Sequence, residues 1–70
     1  MMHWEIERKV YDYDEQEIKS ITETASTWEE AVIDFNTCLS DPTCVGATVR
    51  SYYDGKPYPA SDPVVLDYRP

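Results

Sequence analysis

A single helical segment, marked at both ends, divides this chain into two parts that carry strand and turn patterns. Ser26 and Thr27 can each cap a helix, and Glu29 and Glu30 follow three residues later, which is the pattern of a capping box. Ser40-Asp41-Pro42 ends the segment, because proline cannot continue a helix. The apolar residues between these signals recur with the helical period and predict one buried face, formed by Trp28, Ala31, Val32, Phe35, Cys38 and Leu39.

Two strands are predicted before the helix. Residues 3–11 alternate between apolar and polar side chains, with Arg8 interrupting the apolar side, and this alternation is typical of a half-buried strand. The apolar side of this run consists of Trp4, Ile6 and Val10. Residues 17–24 form the second run, in which Ile18 and Ile21 fall on opposite faces, so we expect a bulge or a short strand there.

Two further strands are predicted after the helix. Residues 44–53 should present Val45, Ala47 and Val49 to the helix. Tyr53-Asp54-Gly55-Lys56 is a turn with glycine at the position that needs a positive φ. Residues 64–68 form a short strand, and Pro63 at its start suggests a sheet edge. We therefore predict one α+β domain over residues 1–70, with the order ββαββ: a four-stranded, mainly antiparallel sheet with one helix packed on one face.

The charge balance restricts the classes of partner. Fourteen acidic against six basic residues give a net charge of -8. A field of this sign repels phosphate backbones and anionic lipids, so we expect no direct binding to nucleic acid or membranes, and a protein partner with a basic surface is favoured. No apolar run reaches the ~20 residues of a membrane span, and Met1-Met2-His3 does not begin a signal peptide. We expect a cytoplasmic protein.

Catalytic, cofactor and metal chemistry are poorly supported, so we predict a protein that is not an enzyme and holds no cofactor or metal. Cys38 lies on the apolar helix face, where a thiol is usually inert core, and whether it forms a disulfide with Cys44 stays open. His3 is the only histidine, and phosphate-binding glycine loops are absent. The acids of segment 12–15 fit a solvated turn better than a divalent-ion site.

Two surfaces are candidates for binding. On the side of the helix away from its apolar face, Glu30, Asp34 and Asp41 form an acidic stripe together with Thr37. Ile33 lies beside this stripe and could serve as an apolar anchor. The alternative surface is the open face of the sheet, where tyrosines and an arginine, both typical of interfaces, are expected: Tyr11, Arg50 and Tyr52.

In size and acidity the chain resembles small accessory proteins of bacteriophages and mobile elements, including anti-CRISPR and anti-restriction inhibitors. The resemblance also rests on the helix opening Ser26-Thr27-Trp28-Glu29-Glu30-Ala31, the strand Cys44-Val45-Gly46-Ala47-Thr48-Val49 and the Tyr53-Asp54-Gly55-Lys56 turn. It implies a protein of the host cytosol without enzymatic activity. Such proteins block a nucleic-acid-binding host enzyme, some by presenting acids where the enzyme expects phosphates. The resemblance assigns no functional residue.

These observations lead to three functional hypotheses. The first is an inhibitor or adaptor that binds a basic surface of a nucleic-acid-binding protein, as a nucleic-acid mimic. The alternative is a homodimeric module that binds a small ligand or nucleotide at its interface through its tyrosines and Arg50. The third is a structural accessory protein without a regulatory role. We also expect self-association as a homodimer, because the core is small and the last strand looks like an edge.

Overall fold

The computed structural model describes residues 1–70, and its elements follow the order ββαβββ. The elements are β1 (Met2–Asp12), β2 (Glu17–Ala25), α1 (Trp28–Ser40), β3 (Cys44–Tyr53), β4 (Lys56–Pro57) and β5 (Val64–Tyr68). All paired strands are antiparallel. The strand order is β2-β1-β3, and β4 and β5 share the remaining edge of β3. This confirms the α+β prediction of a sheet four strands wide with one helix, and β4 is a two-residue addition.

The helix begins and ends where the sequence predicts. The Thr27 side chain accepts the backbone N–H of Glu30 at 3.1 Å, as in a capping box, whereas the Glu30 carboxylate accepts the N–H of Ser26, one residue before the cap, at 3.4 Å. At the other end, the N–H of Asp41 donates to the carbonyl of Cys38. With 13 residues, several of them charged or polar, α1 is neither long nor apolar enough to cross a bilayer.

The helix is turned away from the orientation predicted from its apolar pattern. Ala31, Phe35 and Cys38 are its buried residues, whereas Trp28 remains 43% and Leu39 40% exposed. The prediction that Trp28 and Leu39 belong to the core is therefore wrong. Small residues explain the difference: with Ala31 and Cys38 facing the sheet, the backbone of α1 can approach it closely, and the larger apolar side chains lie to one flank.

The core lies between α1 and the two central strands. It consists of Ile6, Ala25, Ala31, Phe35, Cys38, Cys44, Ala47 and Val49, with Trp4, Leu66 and Tyr68 at its margin. Val45 was expected in this core but is 37% exposed. A bulge is the reason: Lys9 pairs with Gly46 and Val10 with Cys44, which leaves Val45 as the extra residue. The bulge turns Val45 outward and brings Cys44 to the helix side.

The second strand also differs from its prediction. β2 pairs with β1 over nine residues without a break in register, so the expected bulge or short strand does not occur. Ile18 and Ile21 do lie on opposite faces, and they are 60% and 37% exposed. The absence of an alternating apolar pattern has a structural cause: β2 ends the sheet, and α1 packs mainly on β1 and β3.

Candidate protein-binding surface

The outward side of α1 carries carboxylates around an exposed aliphatic side chain. We call Glu29, Glu30, Ile33 and Asp34 the acidic helix face. Glu29 and Ile33, like Glu30 and Asp34, are four residues apart and therefore neighbours on the helix surface. Ile33 is 63% exposed, both glutamates are exposed and Asp34 is half-buried. None of the three carboxylates has a basic partner within ion-pair distance.

An apolar hollow adjoins the acidic helix face. It has a volume of about 380 Å³ and is lined by Trp28, Glu29, Val32 and Ile33. The Trp28 ring lies against Trp4 of β1, with centroids 6.1 Å apart, so the indole is held in place while part of it stays in contact with solvent. An indole face beside a carboxylate suits a guanidinium or ammonium group, which gains from both the ring quadrupole and the charge.

The structure places the predicted stripe residues in different environments. Glu30, Ile33 and Asp34 share the outer surface of the helix, as expected. Asp41 does not join them, because it follows the last helical residue and is half-buried. Its carboxylate accepts the backbone N–H and the hydroxyl of Thr43 at 2.8 and 2.7 Å. These hydrogen bonds hold the pKa of Asp41 below its usual value, and the bond from the backbone N–H of Thr43 contributes most.

The alternative surface is split along the sheet. Tyr52 pairs with His3 in the β1–β3 register, whereas Tyr11 lies eight residues further along β1. At about 3.3 Å per residue, this places the two tyrosines roughly 26 Å apart. Arg50 lies near Tyr52, two residues away on the same face. Tyr11 instead contacts Tyr13 edge to face, with centroids 4.8 Å apart. The three residues therefore cannot surround one small ligand within one chain.

The charges of the open sheet face are largely paired within the protein. Arg50 lies 3.6 Å from Glu7, and Arg69 lies 2.9 Å from Asp67. A depression of about 450 Å³ lies between these pairs, where Gly46 lacks a side chain. Lys9 also lines it, so the depression holds three of the six Lys and Arg residues of the chain. The excess of acidic over basic residues therefore lies mainly on other surfaces of the protein.

The acidic side chains of the β1–β2 turn are engaged by backbone N–H groups of the turn and by Lys19. Asp12 accepts the backbone N–H groups of Asp14 and Glu15 at 2.9 and 3.2 Å, and Lys19 lies 3.0 Å from both Asp12 and Glu15. The hydrogen bond to Lys19 contributes most to the lowered pKa of Asp12. No three His, Cys, Asp or Glu side chains converge in a way that could hold a metal ion.

The two cysteines are buried free thiols, which answers the open question about a disulfide in this structure. Cys38 lies in the last turn of α1 and Cys44 begins β3. Burial raises the pKa of the Cys38 thiol, and the nearby Arg8 opposes this shift only in part. Both side chains are therefore core residues, and neither presents the exposed thiolate that a nucleophile needs.

Sequence reasoning missed Glu29 as a surface acid, although a signal for it exists. Residues 20–49 contain five acidic residues and no Lys, Arg or His. Every acid on the helix is therefore without a basic neighbour in sequence, whichever way the helix is turned.

Comparison of the chain with protein-family models, with curated proteins and with solved structures finds no significant match.

Proposed function

We propose that this protein is a non-enzymatic inhibitor that covers a basic, nucleic-acid-binding surface of another protein with its acidic helix face. The proposal rests mainly on one observation: Glu29, Glu30 and Asp34 have no basic ion-pair partner and lie around the exposed Ile33. Elsewhere in the chain, acids are largely engaged with cations or with turn N–H groups, as in Asp12 and Asp67. Asp14 and Glu17 also lack an ion-pair partner and lie beside the exposed Tyr13 and Ile18, but on the helix three such carboxylates lie around one aliphatic side chain.

The two kinds of group have different tasks in such an interface. Unpaired carboxylates attract a basic surface at long range and speed association, an effect that salt screens over about 8–10 Å. Ile33 and the hollow beside Trp28 supply the desolvated centre that slows dissociation. In this arrangement, a partner arginine or lysine lies over the shallow hollow and contacts both the indole and Glu29.

The small-ligand alternative has less support. Its residues lie at opposite ends of the sheet, and the ring of Tyr52 already stacks on His3. Arg50 is close to Glu7 and so has less charge to offer a ligand. The sheet face remains a surface of paired charges, whereas the acidic helix face has charge available.

The test is a comparison of two charge-reversed proteins. Glu30 is left in place because its carboxylate accepts the N–H of Ser26 at the start of the helix, and Glu29→Arg is combined with Asp34→Arg. The matched control, Asp14→Arg with Glu17→Arg, makes the same change in net charge at two exposed positions, one in the β1–β2 turn and one at the start of β2. Each protein is used as bait in a lysate of its source cells, and captured proteins are identified by mass spectrometry.

We expect one basic, nucleic-acid-binding protein to be retained by the wild type and the control and lost by the helix variant. Duplex DNA or RNA should displace it, and its affinity should fall steeply as salt rises. Ile33→Asp should speed dissociation and change association little. A partner retained by the helix variant, or one whose affinity is independent of salt, would disprove the proposal.

A further inference from the structure

The β2 strand offers a long edge with an uninterrupted backbone. It ends the sheet, extends over nine residues and contains no proline, glycine or bulge. The opposite edge is interrupted: β4 has two residues, one of them Pro57, and β5 follows Pro63 and has a register shift beside Leu66. Prolines, bulges, short strands and charged side chains all protect a sheet edge against pairing with another chain, and β2 has only the last of these, in Glu17, Lys19 and Glu23. The sequence favoured the last strand for self-association, but β2 is the edge whose backbone is uninterrupted.

The orientation of the β2 peptide groups follows from hydrogen bonds elsewhere in the sheet. The N–H of Tyr11 donates to the carbonyl of Thr43, so the peptide groups of Tyr11 face β3. Because peptide groups alternate along a strand, those of Val10 and Arg8 face β2, and their partners Lys19 and Ile21 face back toward β1. The residues whose N–H and C=O groups point outward from the edge are Ile18, Ser20, Thr22 and Thr24.

We propose that β2 pairs with β2 of a second copy of this chain, antiparallel and about a two-fold axis at Ile21. Three symmetric registers give the longest overlap. Centred on Ser20, the register places Glu17 opposite Glu23, where like charges repel. Centred on Thr22, it places Ile21 opposite Glu23 and leaves Lys19 opposite Ala25.

The register centred on Ile21 combines full overlap of the strands with opposite charges in register and paired backbone hydrogen bonds. It overlaps the whole of β2 and sets Lys19 of each copy opposite Glu23 of the other, on the helix side of the sheet. The outward peptide groups of Ser20 meet those of Thr22 as a hydrogen-bonded pair. Ile21 meets its own symmetry mate in a non-hydrogen-bonded pair, where side chains are closest, and covers its 37% exposed surface.

The ion pairs within each copy extend naturally across such a junction. Glu23 lies 3.6 Å from Arg8, and Lys19 lies 3.0 Å from Asp12. Joining Glu23 to Lys19 of the second copy gives a row of alternating charge across the sheet. Opposite charges that face each other across a strand pair stabilise it, and like charges destabilise it. The pairing therefore selects its register through charge, despite the overall acidity of each chain.

Cross-linking through one introduced cysteine tests the register, with the full chain at high micromolar concentration. In a non-hydrogen-bonded pair the Cα atoms are about 4.5 Å apart, a separation that a disulfide spans. After mild oxidation, Ile21→Cys should run as a covalent dimer on a denaturing, non-reducing gel. Wild type, Ser20→Cys and Thr22→Cys should run at the monomer mass, because their pairing is not covalent. The native thiols are buried in all four proteins. Cross-linking at Ser20→Cys or Thr22→Cys, alone or equally with Ile21→Cys, would overturn the register, and so would its failure at Ile21→Cys.

Sedimentation of two variants tests the strand pairing itself. Thr22→Pro removes an N–H that points away from β1, so the monomer keeps its hydrogen bonds, whereas a β2–β2 junction loses two by symmetry. The matched control Thr22→Val keeps the N–H and removes only the hydroxyl. We expect wild type and Thr22→Val to dimerise, and Thr22→Pro to be monomeric with an unchanged circular dichroism spectrum. A monomeric wild type, or a Thr22→Pro protein that still dimerises, would rule the pairing out.

Discussion

His3 and Tyr52 stack face to face on the open side of the sheet, with ring centroids 5.1 Å apart and planes 8° from parallel. The two residues are directly opposite in the β1–β3 register. Burial, followed by the nearby Glu5 carboxylate, raises the pKa of the Tyr52 hydroxyl. The Tyr52 ring, which the sequence placed on a candidate binding surface, therefore stacks on a residue of the neighbouring strand.

This stacking leads to the first prediction. In a double-mutant cycle, His3→Ala and Tyr52→Ala should couple by about 0.5–1.5 kcal/mol in urea unfolding, because each removes the same contact. Neither change should alter capture of the protein partner. Strictly additive unfolding energies, or loss of partner binding by Tyr52→Ala, would contradict the assignment of this ring to the fold.

The second prediction concerns the orientation of the helix. Phe35→Ala should cost about 3–5 kcal/mol and leave most of the chain unfolded, because Phe35 is the largest buried side chain of α1 and small domains have a narrow stability margin. Ile33→Ala should cost about 0.5 kcal/mol or less, since Ile33 is 63% exposed. Thermal melts followed by circular dichroism measure both. A Phe35→Ala protein that melts close to wild type would refute the helix orientation.

The third prediction is a pH dependence at the end of the helix. Hydrogen bonds from Thr43 lower the pKa of Asp41 in the folded state, so the unfolded chain binds a proton more readily than the folded one. The contribution of Asp41 to stability is therefore present above its unfolded value near 3.8 and is lost as pH falls through the lower folded pKa. Urea titrations of Asp41→Asn should show a weaker loss of stability in acid than wild type. Asp14→Asn, in the exposed turn, is the control, and equal acid sensitivity of wild type and Asp41→Asn would contradict the prediction.

The fourth prediction concerns thiol chemistry. Because Cys38 and Cys44 are buried, and burial raises the pKa of the Cys38 thiol, a disulfide reagent at neutral pH should react slowly with the native protein. Both thiols should react rapidly once the chain is denatured without reductant. Rapid reaction of either thiol in the folded protein would show that the core is open, and an absence of thiols after denaturation would show a disulfide.

Local signals in the sequence were sufficient for the helix. Thr27 and Glu30 form the cap that their spacing predicts, and Pro42 follows the end of α1 as expected. The Asp54-Gly55 turn was also readable, since both residues adopt positive φ values of 50° and 80°. Features of this kind depend on residues only a few positions apart, which is why the sequence reports them directly.

Features that depend on packing could not be read in the same way. The bulge at Val45 appears only when β3 is paired with β1, because both Cys44 and Val45 suit a core in isolation. The orientation of α1 depends on how closely Ala31 approaches the sheet, which the apolar period does not reveal. Among the proposed surface residues, Glu30 and Asp34 follow from the helix itself, whereas Asp41 was misplaced because its carboxylate binds Thr43 beyond the helix end.

The position of β1 has a consequence for the way the chain folds as it is synthesised. β1 is made before the other strands of this sheet, yet it lies inside the sheet between β2 and β3. The β1–β2 hairpin can close early, but a lone hairpin is at best marginally stable in water. Its other partner, β3, ends at Tyr53, so the growing polypeptide stays without a stable core until that residue has left the ribosome. Arrested nascent chains should therefore gain protease resistance only at lengths that expose Tyr53, and protection of shorter chains would show that the hairpin and helix suffice.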